Sequence, residues 1–459
     1  MQGHHNHEVG RYEYVNIDSF IPNNHILKKI DKNIDLSFIK ELTRENYSPD
    51  NGRPSIDPEV FFRIMLLGHL LDINSDRKLC KAIHFNIAYR WFCKLNLMDK
   101  IPDHSSITRI RDRLGVDIFE KIFRNIVNQC KEKGLIGSKR VITDATLFQA
   151  NASINSMIPR DPTTKEEEKT EVVPGIIPPT PKKLANKTHV SRTDPDSSLA
   201  FKKGEKRGLK YKAHVSIDSK ERIILDVDIT TGSTHESQVY TEQLSRIEIK
   251  YNFKIEDAIA DKAYGSAKII QYLIDKGINP YIPLFSSRSG GLGLKEADGF
   301  IYNKDDNFYI CPAGNTLTPY PTIQDNRIMY RSSAKNCATC NIKDKCKAPL
   351  FYNHKDTRIV TRNVHHELFH KTREEMKTKK FKEALSERMW KVEGVVGDLK
   401  LKHGLARAKY RGLIKTQIQA YLAATIINVK RIATFLCEFF LSLICKNFKN
   451  KKLLVIFIN

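Results

Sequence analysis

Three acidic residues lie in local settings that dictate different backbone structures, and together they restrict the fold more than any bulk property of the chain. Asp144 falls within Val141-Ile142-Thr143-Asp144-Ala145-Thr146-Leu147, a β-branched run that reads as a buried strand. Asp261 closes the short run Ala258-Ile259-Ala260-Asp261 and is followed by Lys262-Ala263-Tyr264-Gly265-Ser266. Glu393 sits in Arg388-Met389-Trp390-Lys391-Val392-Glu393-Gly394, inside a long basic segment with helical spacing. Two aspartates at strand ends and one glutamate on a late helix can converge on two divalent ions. A two-metal site suits in-line phosphoryl transfer, and all-oxygen donors select Mg²⁺ or Mn²⁺.

Charge points to a polyanionic partner. The chain has 459 residues with 76 Lys+Arg against 53 Asp+Glu, a formal charge of +23. Such an excess attracts nucleic acid and makes binding steeply salt-dependent. A membrane partner is not expected, because no apolar run approaches the roughly 20 residues needed to span a bilayer. The apolar tail Phe435-Leu436-Cys437-Glu438-Phe439-Phe440-Leu441-Ser442-Leu443-Ile444-Cys445 is too short, carries Glu438 and reads as a packed terminal helix. With no secretory signal, the nine cysteines are not expected to form a disulfide framework.

Periodicity and composition divide the chain into an N-terminal arm (1–53), a helical DNA-binding domain (54–135), a first core part (136–300), a cysteine-rich insertion (301–375), core C-terminal helices (376–432) and a tail helix (433–459). In the helical domain, a serine cap followed by Ile107, Ile110 and Leu114 begins a short amphipathic helix. Its outer side is expected to carry Arg109, Arg111 and Arg113, as in a helix-turn-helix recognition element. The alternative is an ordinary solvated helix. Within the core, residues 155–206 are polar and proline-rich and read as a flexible insertion. A hairpin (211–218 and 223–229), a helix (237–250), the Asp261 strand, a helix (266–276) and a strand (279–284) complete it. Three strands, helix, strand, helix, strand is the order of an α/β RNase H-like catalytic fold. That fold would set Asp144 on the central strand beside Asp261 and take its last acid from a C-terminal helix.

These motifs resemble the DDE transposases of bacterial insertion sequences, in the subgroup with a helical N-terminal region and a cysteine-rich insertion before the last catalytic helix. The resemblance rests on Asp144-Ala145-Thr146, on Ala260-Asp261-Lys262-Ala263-Tyr264-Gly265, and on Arg388 to Gly394 continued by His403-Gly404-Leu405-Ala406-Arg407-Ala408-Lys409-Tyr410-Arg411-Gly412. It implies that Asp144, Asp261 and Glu393 hold two Mg²⁺ or Mn²⁺ ions and that Lys400, seven residues after the glutamate, clamps a terminal phosphate. Members with a Tyr-Arg-Glu-Lys signature place an arginine four residues before the glutamate; here that position is Met389, and Arg388 stands one earlier. The resemblance further implies binding to terminal inverted repeats and target double-stranded DNA, cut-and-paste strand transfer, a homodimeric complex, and a cytoplasmic, nucleoid-associated location. Segment 377–431, with 14 Lys+Arg and 4 Asp+Glu, would border a DNA channel through Arg388, Lys391, Lys402, Arg407, Lys409 and Arg411. An RNase H-like nuclease without strand transfer and a non-catalytic helix-turn-helix binder are the competing functions.

Cys311, Cys337, Cys340 and Cys346 include one CxxC pair and can close a structural Zn²⁺ site; four reduced thiols are the alternative. Cys80, Cys93, Cys130, Cys437 and Cys445 read as buried thiols. Asp226 and Asp228 are the best rivals to Asp144, and His214 and His235 read as sheet-edge histidines. Trp390 reads either as a stacking platform for an unpaired base or as a core residue.

Overall fold

The computed structural model describes residues 16–48, 50, 55–160, 185–202, 204, 206–284, 299–324, 326–350 and 356–449. The chain forms two compact units, residues 1–257 with 388–459, and residues 258–387.

In the first unit, the described elements before residue 133 are all helical. Helix α1 (His104–Glu132) merges the two helices expected on either side of residue 115 and kinks at Gly115, whose φ of 69° and ψ of 176° are open to glycine. The expected serine cap is instead Asp103, whose carboxylate accepts from Ser105 N at 2.8 Å. Ile107, Ile110, Leu114, Phe119, Ile122, Phe123, Ile126 and Val127 form its buried stripe.

The central sheet is antiparallel, built from β1 (Arg140–Gln149), β2 (Gly208–Asp218) and β3 (Ile224–Thr231), with β2 in the middle. Its register pairs Asp144 with Val215 and Val215 with Val227, while Thr143 pairs with Ser216 and Ser216 with Asp226. Directly opposed residues share a face, so Asp144 and the Asp226 row point to opposite sides of the sheet. Helix α2 (Tyr240–Tyr251) covers the Asp226 side: Gln243 Nε2 donates to His214 O at 3.1 Å, and Arg246 reaches Asp226. Helix α4 (Leu413–Lys449) closes the open edge of β3 with side-chain amides. Gln417 Nε2 donates to Val227 O at 2.8 Å and Asn428 Nδ2 to Ile224 O at 2.9 Å, while Gln417 Oε1 accepts from Ile229 N at 2.7 Å and Asn428 Oδ1 from Ile224 N at 2.8 Å. An edge strand otherwise leaves its backbone groups unpaired, so these amides substitute for a further strand.

The expectation that 155–206 is one flexible insertion does not hold at its flanks. Met157–Pro159 pairs with His189–Ser191, and Ser198–Ala200 pairs with β2. Between them, the buried Asp194 carboxylate accepts from Tyr211 Oη at 2.5 Å and from Gly412 N at 3.1 Å, and Asp196 accepts from Leu413 N at 2.9 Å. Two carboxylates thus cap the N-terminus of α4, where helix N–H groups are unsatisfied and the dipole favours negative charge. Residues 161–184 lie outside the described residues, as do the His4-His5-Asn6-His7 terminus and the side chains of Cys437 and Cys445.

In the second unit, strand Asp257–Ile259 pairs with Asn279–Tyr281, and helix Ala267–Asp275 connects them. A five-stranded antiparallel meander follows, ordered Ile359–Asn363, Arg327–Ser332, Thr316–Gln324, Phe308–Ile310, Ile301–Asn303. Its core is Phe300, Tyr309, Leu317, Tyr330, Ala348 and Val360, with Tyr302, Tyr309 and Tyr330 rings 5.0–6.0 Å apart. Among the described residues no helix is long and apolar enough to cross a membrane.

Candidate active site

Asp144 sits midway along β1, where the β-branched neighbours Ile142 and Thr143 are buried and hold the strand rigid. Its Oδ1 accepts from Ala145 N at 2.8 Å, leaving Oδ2 to face helix α3 (Lys379–Lys402). That helix enters the first unit at Arg388, and from there Val392, Val395 and Leu399 form a fully buried stripe. The stripe seats the helix and aims Arg388 at the strand. Arg388 Nη1 donates to Asp144 Oδ2 at 3.1 Å, and Nη2 lies 3.9 Å from Glu393 Oε1. One guanidinium therefore stands between two of the three carboxylates expected at the site. Asp144 and Arg388 side chains are 20% and 17% exposed, whereas Glu393 is 59% exposed.

Asp261 belongs to the second unit. It caps the 3₁₀ turn Lys262–Tyr264 by accepting from Ala263 N at 2.8 Å. The glycine that ends its motif is dictated by space: a Cβ on Gly265 would meet Pro283 O at 2.3 Å. Lys400 lies on α3 two turns beyond Glu393 and is partly buried. All-carboxylate oxygen donors fit a hard divalent cation, and a cationic group already fills the space between Asp144 and Glu393. Among the described residues, no three His, Cys, Asp or Glu side chains assemble as a metal-binding group.

That statement includes the cysteines. Cys311 and Cys346 pack against the aromatic core of the meander, and Cys337 Sγ donates to Ser332 Oγ at 3.0 Å. This hydrophobic cluster supplies the core of the insertion. Cys93 and Cys130 are buried, with burial pushing both thiols up to about 12, and Cys80 is half-buried.

Three basic residues expected at a DNA surface are turned inward. Arg111 is buried, stacks 4.1 Å from the Tyr410 ring centroid, donates to Tyr410 Oη at 2.6 Å and pairs with Asp76. The expectation put Arg109, Arg111 and Arg113 on one side, but a step of two residues turns a helix by about 200°. Only Arg109 and Arg113 are exposed. Lys409 Nζ pairs with Asp76 Oδ1 at 2.6 Å, and desolvation draws its pKa below the usual lysine range. Lys391 is buried and donates to Ser219 O. Lys402, Arg407 and Arg411 remain exposed. Trp390 is also exposed, not a core residue, with Arg222 and Lys391 beside its ring.

The string 403–412 is a clamped loop. His69 and His403 each donate Nδ1–H to the other's backbone carbonyl, at 3.1 and 2.9 Å. Ala408 N donates to Gln149 O at 2.7 Å at the end of β1, and Gln419 Nε2 donates to Gly404 O at 2.6 Å and Arg407 O at 3.0 Å. The rival acids Asp226 and Asp228 are both paired to Arg246, and His214 is buried with its Nε2 2.9 Å from Thr230 Oγ1. Burial lowers the His214 pKa to about 4. His235 accepts from Ser237 N as a turn cap.

Two family profiles match the chain: a transposase domain (DUF772) over residues 15–113 and a transposase DDE domain over residues 310–433. Among solved structures, a piggyBac transposase synaptic complex with hairpin DNA is 12% identical over 89% of this chain and 72% of its own, with a TM-score of 0.35. A Mos1 transposase paired-end complex is 11% identical over 53% of this chain and 65% of its own, with a TM-score of 0.17.

Proposed function

Because the chain belongs to the DDE transposases, phosphoryl transferases acting on DNA, we propose that Asp144, Asp261 and Glu393 are its catalytic carboxylates. The observation that carries this reading is the meeting of Asp144 and Glu393 around Arg388, since two acids 249 residues apart in sequence share one guanidinium. Asp261 enters this reading through its motif, Ala260-Asp261-Lys262-Ala263-Tyr264-Gly265. An RNase H-like core is the fold that this reading implies.

The three carboxylates would hold Mg²⁺ or Mn²⁺, which supplies charge neutralisation to the reacting oxygens when bound. Arg388 orients Asp144 and restrains Glu393. The rigid β1 strand fixes Asp144 along the approach of the scissile phosphate, and Lys400, on the same face of α3 as Glu393, holds a terminal phosphate. Exposed Arg109, Arg113, Lys402, Arg407 and Arg411 supply phosphate contacts consistent with the +23 charge. The substrate is double-stranded DNA: the inverted repeats ending an insertion sequence and a target duplex, joined by cut-and-paste transfer. Two ends call for two copies of the chain, acting in the bacterial cytoplasm. The test is Mg²⁺-dependent cleavage of DNA carrying the sequences that flank the gene. Asp144→Asn and Glu393→Gln should each lower it at least about 10³-fold while leaving DNA binding in place. Full cleavage by Asp144→Asn would overturn the assignment.

A further inference from the structure

We propose that Arg388 is a resident counter-cation of the catalytic site, holding Asp144 and Glu393 together in the metal-free protein and competing with the divalent ion for their oxygens. The proposal rests on the catalytic reading given above. Asp144 Oδ1 accepts from Ala145 N, and Arg388 Nη1 lies 3.1 Å from Oδ2. The same guanidinium reaches Glu393 Oε1 at 3.9 Å. Two carboxylates brought this close repel each other unless a positive charge stands between them. A guanidinium supplies that charge with directional donors and no ability to lose its proton. The Arg388 side chain is 17% exposed and Glu393 59%, so the Glu393 end of the cluster is the one that opens to solvent.

The consequence is a link between ion loading and DNA engagement. An ion that takes the Asp144 and Glu393 oxygens must break the Arg388 pair, and the released fork of N–H donors is then free to meet a phosphate. Metal-free protein is held assembled, and the cation-rich site forms only as Arg388 turns away. Met389, at the position where relatives of the Tyr-Arg-Glu-Lys kind carry arginine, has no charge to offer, so Arg388 is the cation of this helix turn that reaches both acids.

The test uses the full-length protein without DNA, titrated with Mn²⁺ at fixed ionic strength, with free Mn²⁺ read by electron paramagnetic resonance. Arg388→Gln should bind Mn²⁺ about three- to tenfold more tightly than the native protein, because no ion pair has to be broken. Its melting temperature in chelator should fall, and its gain on adding Mn²⁺ should exceed the native gain. Arg388→Lys keeps the charge but loses the fork and should lie between the two, which preserves the test if Arg388→Gln fails to fold. Equal or weaker Mn²⁺ binding by both variants would overturn the counter-cation role. Asp144→Asn separates the two ideas: native Mn²⁺ binding that does not change in this variant overturns the catalytic reading itself, whereas binding that is lost in it, together with unchanged affinity in both Arg388 variants, overturns only the role of Arg388.

Discussion

The two faces of the central sheet carry the same charges, two acids and one arginine, and differ in what encloses them. On one face Asp144 and Glu393 meet Arg388; on the other Asp226 and Asp228 meet Arg246. Asp226 is 5% exposed and covered by α2, and burial, followed by the Asp228 charge, pushes its carboxyl up from 3.8 to about 6. In that cluster Asp226 is the enclosed acid, while Asp228 and Arg246 are 22% and 31% exposed. The Asp144 cluster ends in a glutamate that is 59% exposed, so its arginine can be exchanged for another cation. The two clusters share a charge inventory and differ in how far their acids reach solvent.

The largest effect that can break this comparison is on stability. Arg246→Ala leaves the enclosed Asp226 carboxylate without its arginine and should cost about 3 kcal/mol, read by urea unfolding. Arg388→Gln should cost about 1 kcal/mol or less, because one of its acids is solvated. A reversal of that order would mean that the Asp144 face is the closed one. The same contrast has a pH signature. A carboxyl whose folded pKa is raised holds its proton in the native state while the unfolded chain has lost it, so stability falls as pH rises between the two values. With 3.8 and about 6 as those values for Asp226, native protein should lose stability relative to Asp226→Asn across that window. A flat difference would place Asp226 in a solvated setting.

Local pattern made the strands legible. The run around Asp144, the hairpin that follows it and the short Asp261 strand all appear close to where alternation and β-branching put them, because burial on both sides of a strand leaves a mark in the residues themselves. Asp226 and Asp228 were visible as rivals for the same reason. The arginines that settle the matter were not, since Arg388 meets Asp144 across 244 residues and Arg246 meets Asp226 across 20. Long-range pairing leaves no periodic trace. Composition also misled: the basic string 403–412 suggested a DNA surface, yet His403, Lys409 and Tyr410 serve a junction with the N-terminal helices through His69, Asp76 and Arg111. In the meander the core is supplied by aromatic residues spaced along its strands.

That junction extends the comparison within the helices, and the smallest predicted effect decides it. Arg111 and its neighbours Arg109 and Arg113 look alike in sequence, but Arg111 is enclosed between Asp76 and Tyr410 whereas the other two face solvent. Arg111→Gln should cost about 1–3 kcal/mol of stability, because it removes a buried guanidinium that donates to Asp76 and to the Tyr410 phenol. It should leave the salt dependence of DNA binding unchanged. The double variant Arg109→Gln, Arg113→Gln should do the opposite. Its stability should stay within about 0.5 kcal/mol of native. If both side chains lie on phosphates, the slope of log affinity against log salt should become shallower by about 1.8. Measured on DNA carrying the flanking repeats, an unchanged slope would remove this helix from the interface. The exposed Lys402, Arg407 and Arg411 would then carry the contact, and neutralising those three should flatten the slope instead.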